Sequence, residues 1–157
     1  MKLKTQVHAN EGCQDLTVTR EFNLPLEFLF KAYTDAELLA QWMGTTVTKL
    51  DCQPHGGYRF ETRDKNGNVV FSANGTIHKF VPNKTIVRTF EMENSPFDVQ
   101  LEFLEFESLT PETSKLTMHI VYRTITMRDQ MLQLPFAQGI NMAHNRLEEI
   151  FKTNNYE

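Results

Sequence analysis

The sequence lacks several features that would identify a function directly. It contains only two cysteines among its 157 residues, Cys13 and Cys52, and their spacing matches no metal-binding or redox motif. Lys and Arg form no cluster and the net charge is −4, so nucleic acid is not an expected partner. No apolar stretch approaches the length of a membrane span, and the polar N-terminus has no apolar segment typical of a secretory signal. These absences predict a cytoplasmic protein with reduced thiols.

Motifs for metals and cofactors are also missing. Gly56 and Gly57 lie in a predicted β-turn rather than before a helix, so they do not form a phosphate-binding loop. His78, His119 and His144 show no short ligand spacing. No serine stands in a nucleophile elbow, and no pair of carboxylates suggests acid–base catalysis. We therefore predict no metal, no cofactor and no assigned catalytic residue.

Phenylalanine and methionine, by contrast, are abundant. The chain has 12 Phe and 7 Met but a single Trp, with 40% hydrophobic and 23% charged residues. This composition is typical of an ordered globular protein, and the length predicts one domain over residues 1–157. Such an interior is large and adaptable, and it either surrounds a cavity or fills the space as an aromatic core.

A long amphipathic helix is predicted at the C-terminal end. Its apolar residues recur at spacings of four, three, four and four: Phe136, Ile140, Ala143, Leu147 and Phe151. Pro135 suits the first turn, where a missing N–H costs little, so the helix is predicted over 135–153. Glu148 and Glu149 are predicted to face solvent.

Strand patterns dominate the rest of the chain. A first strand over 16–22 precedes two short helices within 25–42, the second capped by Asp35 and ended by Gly44. About six strands follow between residues 45 and 124, with a hairpin predicted at Asn66-Gly67. In the strand that includes Leu101 and Phe103, alternation predicts that Glu102 faces solvent. The order predicts an α+β fold in which a curved antiparallel sheet of six to seven strands wraps around the long helix.

Several short motifs, in this order, resemble those of one family. They are Thr19-Arg20-Glu21-Phe22, Pro25, the run from Phe30 to Trp42, Asp51, Pro54, Gly56-Gly57, Gly75, Val81-Pro82, Thr89-Phe90, Arg128-Asp129, Met131-Leu132-Gln133, Gly139 and Arg146-Leu147. Together they resemble homologues of the activator of the heat shock protein 90 ATPase. That family belongs to the SRPBCC superfamily, with START-like lipid-transfer domains, birch-pollen-allergen-like proteins and polyketide cyclases. The resemblance extends from about Lys4 to Phe151 and implies the helix-grip fold.

Two segments depart from the family pattern. Trp42-Met43-Gly44-Thr45 stands where the family often has Trp-Trp-Gly-Pro, and Pro135-Phe136 stands where it often has Gly-Met. Both lie near the expected mouth of the cavity, so no particular ligand is carried over from the resemblance.

The resemblance implies an apolar cavity between the sheet and the long helix, and pockets of this kind carry few polar groups. The residues predicted to line it are Trp42, Tyr58, Phe60, Phe71, Phe90, Met118, Phe136, Ile140, His144 and Leu147. Among them, His144 is the candidate that could orient a ligand or act as a general base near neutral pH.

Three functions fit these expectations. The first is a cytoplasmic protein that holds a small hydrophobic molecule or lipid. The second, implied by the family, is a partner that activates a chaperone of the heat shock protein 90 type. The third is a cyclase, dehydratase or hydrolase that would use Tyr58, His144 and Asn141 in the same cavity. The patterns leave open whether the chain is a monomer or a homodimer.

Overall fold

Eight antiparallel strands form one curved sheet in the computed structural model, which describes residues 3–155. In chain order the strands are β1 (Gln6–His8), β2 (Asp15–Phe22), β3 (Thr46–Leu50), β4 (Gly57–Arg63), β5 (Val69–Val81), β6 (Thr85–Met92), β7 (Gln100–Thr110) and β8 (Thr113–Val121). Their order across the sheet is β1-β2-β8-β7-β6-β5-β4-β3. The sequence predicted six to seven strands. The additional one is β1, which pairs Gln6–His8 with residues 17–19 of β2.

Within the described residues, four helices accompany the sheet: α1 (Leu26–Thr34), α2 (Ala36–Met43), α3 (Ile125–Gln133) and α4 (Phe136–Asn155). The Asp35 side chain caps α2 by accepting a hydrogen bond from the Leu38 N–H. Gly44 ends the same helix with a φ of 70°, in the left-handed region that glycine tolerates best. Both predicted ends of this helix are therefore confirmed. None of the described helices is long and apolar enough to cross a membrane.

The buried side of α4 is more polar than its sequence pattern predicts. Asn141, His144, Leu147 and Glu148 are its buried residues, whereas Phe136, Ile140, Ala143 and Phe151 are only half-buried. Glu148 was predicted to face solvent, and this is wrong, because its carboxylate pairs with Arg20 at 2.9 Å. The half-buried apolar residues instead border a cavity or the helix α1.

The inner face of β7 is also the opposite of the predicted one. Gln100, Glu102, Leu104 and Phe106 are buried, whereas Leu101 and Phe103 are half-buried on the outer face. The prediction that Glu102 faces solvent is therefore wrong. Arg88 of β6 pairs in register with Glu102, and this buried counter-charge allows the carboxylate to lie inside.

Candidate ligand-binding cavity

A cavity of about 480 Å³ lies between the inner face of the sheet and α4. Its wall includes residues from every helix and from strands β4 to β8: Tyr33, Leu39, Trp42, Met43, Phe60, Phe71, Arg88, Phe90, Met92, Gln100, Glu102, Met118, Ile120, Tyr122, Met131, Phe136, Gly139, Ile140, Ala143 and Arg146. Most of these side chains are aromatic or aliphatic. The space is therefore suited to an apolar molecule.

Seven of the ten predicted residues line this cavity: Trp42, Phe60, Phe71, Phe90, Met118, Phe136 and Ile140. The other three, Tyr58, His144 and Leu147, lie outside its wall. Leu147 is 1% exposed and borders the contact of α4 with α1 and α2 instead. That these seven residues bind a ligand stays a prediction.

Tyr58 packs behind the cavity wall. Its hydroxyl donates to the carbonyl oxygen of Thr89 at 2.6 Å, and the guanidinium of Arg88 lies 5.2 Å from its ring centroid. A Cβ at Gly75 would overlap with this ring, so the glycine leaves the room that Tyr58 occupies. Tyr58 thus supports Arg88 without facing the cavity.

His144 is fully buried and both of its ring nitrogens have partners. Nδ1 lies 2.9 Å from the Thr5 hydroxyl, and Nε2 lies 3.0 Å from the hydroxyl of Tyr33. Burial, with a smaller contribution from the nearby Arg20 charge, lowers the pKa of His144 to about 3. The imidazole is therefore neutral near pH 7 and is separated from the cavity by Tyr33. Nothing in this arrangement supports a general base.

A buried polar network surrounds His144 and holds α4 to the N-terminal strands. Arg20, whose side chain is 0% exposed, donates to Glu148 at 2.9 Å and to the Thr5 hydroxyl at 3.0 Å. The Asn141 side chain accepts from the Thr5 N–H at 3.0 Å. These contacts fix the middle of α4, from Asn141 to Glu148, whereas another face of the helix, which includes Phe136 and Ile140, borders the cavity.

The cavity also has a polar wall that the sequence analysis missed. Nε of Arg88 donates to Oε1 of Glu102 at 2.8 Å, and Gln100 donates to Oε2 of the same carboxylate at 2.8 Å. The side chains of Arg88 and Glu102 are 13% and 6% exposed. One signal in the sequence indicates this site: Arg88 lies between Ile86 and Phe90 in an alternating strand, on the apolar face.

A second groove, of about 440 Å³, lies near β1 and the end of β2. It is lined largely by polar and charged residues, among them Lys4, Gln6, Thr19, Glu21 and Lys115. An apolar molecule fits this surface less well than the cavity. Among the described residues, no group of three or more His, Cys, Asp and Glu side chains could hold a metal ion.

Comparisons with solved structures show where this fold occurs. A protein of Rhodobacter sphaeroides matches with a TM-score of 0.84 and 19% identity, over 95% of this chain and 99% of that one. The protein Ms6760 of Mycobacterium smegmatis matches with a TM-score of 0.81 and 19% identity, over 93% and 95%. A protein of Nitrosomonas europaea matches with a TM-score of 0.77 and 20% identity, over 94% and 100%. At these identities the likeness shows the fold alone.

Sequence comparison supplies the family. No curated protein matches the chain significantly. The family model described as "Activator of Hsp90 ATPase homolog 1-like protein" matches residues 23–152, which is most of the sequence. The match includes α1, α2, every strand from β3 to β8, α3 and most of α4. The chain therefore belongs to the family of activator of Hsp90 ATPase homolog 1-like proteins.

Proposed function

We propose that this protein is a cytoplasmic binding protein that holds a small hydrophobic molecule or lipid in the cavity between the sheet and α4. The observation that supports this proposal most strongly is the cavity itself. It has a volume of about 480 Å³, and its wall consists mainly of aromatic and methionine side chains. Ligand pockets in proteins commonly have volumes of about 300–1,000 Å³ and predominantly apolar walls. An interior packed at ordinary density would leave no space of this size.

The polar network around His144 supports the same proposal. It fixes the middle of α4 through Asn141, His144 and Glu148, so the position of the helix does not depend on filling the cavity. The cavity wall contributed by Phe136, Ile140 and Ala143 can then remain open in the folded protein.

Titration with the neutral apolar probe N-phenyl-1-naphthylamine tests the proposal. Trp42 is the only tryptophan in the chain and lies in the cavity wall, so its fluorescence should change as the probe binds. We expect saturable binding of one probe molecule. Absence of saturable binding would contradict the proposed function.

A substitution in α4 locates the site. Ala143→Phe places a ring in the cavity wall and should weaken probe binding about tenfold or more, since each tenfold corresponds to about 1.4 kcal/mol. Ala137→Phe is the matched control, because Ala137 lies on the same helix but outside the wall. Equal affinities of the two variants would place the probe elsewhere.

The family description favours a second candidate, an interaction that activates a chaperone ATPase of the heat shock protein 90 type. It predicts that the protein copurifies with the chaperone and raises its rate of ATP hydrolysis. An unchanged hydrolysis rate, together with no detectable complex, would exclude this candidate without affecting the cavity proposal.

A further inference from the structure

The polar wall of the cavity contains hydrogen-bond donors that have no acceptor in the described part of the chain. Arg88 donates to Glu102 through Nε, and no described residue accepts a hydrogen bond from its two terminal amino groups. A guanidinium carries five N–H donors in a fixed planar arrangement. Arg88 lines the cavity, so several of these donors lie there without a partner among residues 3–155.

The sheet register places Arg88 in a polar part of the wall. Arg88 pairs with Glu102, and Gln100 precedes Glu102 by two positions on the same face. The Gln100 amide already donates to Glu102. The terminal amino groups of Arg88 are therefore the free donors of this wall, opposite apolar residues such as Phe136 and Ile140 of α4.

The charge of the wall limits what can bind there. Arg88 is already paired with the carboxylate of Glu102, and the two charges compensate each other. A ligand carboxylate would add a second negative charge beside Glu102 in a buried site, which is costly unless a further cation compensates it. An uncharged oxygen can accept from Arg88 without this penalty.

We propose that the ligand is an apolar molecule with one uncharged, carbonyl-type oxygen, and that this oxygen accepts hydrogen bonds from the terminal amino groups of Arg88. The inference rests on the proposed function, since it assigns a ligand class to the same cavity. The predicted ligand thus has one polar end, which faces Arg88, and an apolar remainder, which contacts the rest of the wall.

Three probes of nearly the same shape test this inference: 2-acetylnaphthalene, 2-ethylnaphthalene and 2-naphthoate. They present a ketone, a hydrocarbon and a carboxylate on one ring system. Affinities are measured by the fluorescence of Trp42 or by calorimetry. Hydrogen bonds to a charged donor should make the ketone bind about tenfold or more tightly than the hydrocarbon, and the carboxylate should bind more weakly than the ketone.

A double variant tests whether Arg88 is responsible for the preference. The double variant Arg88→Met with Glu102→Gln removes both members of the ion pair, so no buried charge is left alone, and it should abolish most of the preference. Tyr58→Phe is the matched control, because its hydroxyl binds Thr89 outside the cavity, and it should leave the preference unchanged.

The outcomes separate this inference from the proposed function. If no probe binds, both fail. If 2-ethylnaphthalene binds as tightly as the ketone, or 2-naphthoate binds more tightly, the cavity function stands and the carbonyl proposal fails. A ketone preference that survives in the double variant overturns the assignment to Arg88.

Discussion

The hydroxyl of Tyr33 lies 3.0 Å from Nε2 of His144, and Tyr33 but not His144 borders the cavity. The tyrosine thus connects the apolar cavity to a buried polar network that includes Thr5, Arg20 and Glu148. One side of Tyr33 belongs to the binding site and the other to the interactions that position α4. The stability of this network and the binding properties of the cavity can therefore be tested separately.

The first prediction concerns the pH dependence of stability. The pKa of His144 is lowered from 6.5 to about 3 by burial, so below about pH 6.5 the unfolded chain binds a proton that the folded protein does not. The free energy of unfolding should therefore fall as the pH decreases from about 6.5 towards 4.5, by up to about 1.4 kcal/mol per pH unit. Urea unfolding at a series of pH values measures this slope.

His144→Gln should remove most of this slope, whereas the same replacement at the exposed His78 should retain it. The pKa of Glu93 is lowered to about 2 by its hydrogen bonds from Arg59 and Asn74. Protonation of this carboxylate therefore reduces stability mainly at pH values below the range of the test. A wild-type protein whose stability is constant between pH 6.5 and 4.5 would contradict the buried, neutral state of His144.

The second prediction compares two adjacent glutamates on α4. Glu148→Ala leaves the fully buried guanidinium of Arg20 without its counter-charge, and it should lower the free energy of unfolding by about 3–5 kcal/mol. Glu149 is exposed and its nearest cation, Lys152, lies 3.6 Å away, so Glu149→Ala should cost less than about 0.5 kcal/mol. Chemical denaturation of both variants at pH 7 makes the comparison, and similar losses would show that the Arg20 pair is not the buried contact described here.

The third prediction compares two glycines. A Cβ at position 75 would overlap with the carbonyl oxygen of Thr89 and the ring of Tyr58, so Gly75→Ala should destabilise the protein by about 1–3 kcal/mol. A Cβ at Gly139 meets nothing within 4 Å, and Gly139→Ala within α4 should stabilise it by about 0.5–1 kcal/mol. Thermal denaturation should therefore shift in opposite directions for the two variants. A shift in the same direction would contradict the close approach at Gly75.

Local patterns in the sequence predict most of the fold. The Asn66-Gly67 hairpin, the cap at Asp35 and the left-handed Gly44 each depend on neighbouring residues, and all three occur in the structure. Much of the apolar cavity wall can also be predicted from the sequence. Seven of its residues follow from strand alternation and helix periodicity in the expected fold.

The polar parts of the site depend on partners far apart in the chain. β7 carries apolar residues on both faces, so its own alternation does not decide whether Leu101 or Glu102 points inward. Glu102 points inward because Arg88 in the neighbouring strand β6 provides its counter-charge. His144 likewise has helical neighbours that fit a cavity wall, and its actual partner Thr5 lies 139 residues away. Such contacts are visible only once the strands are assembled.

The most direct test of the binding site uses the methionine methyl groups, observed by NMR during titration with N-phenyl-1-naphthylamine. Met43, Met92, Met118 and Met131 line the cavity, whereas Met142 is 58% exposed and lies outside its wall. A probe bound between the sheet and α4 should shift the methyl resonances of Met118 and Met131 and leave that of Met142 unchanged. Shifts confined to Met142, or no shift at saturating probe, would contradict the assignment of this cavity as the ligand-binding site.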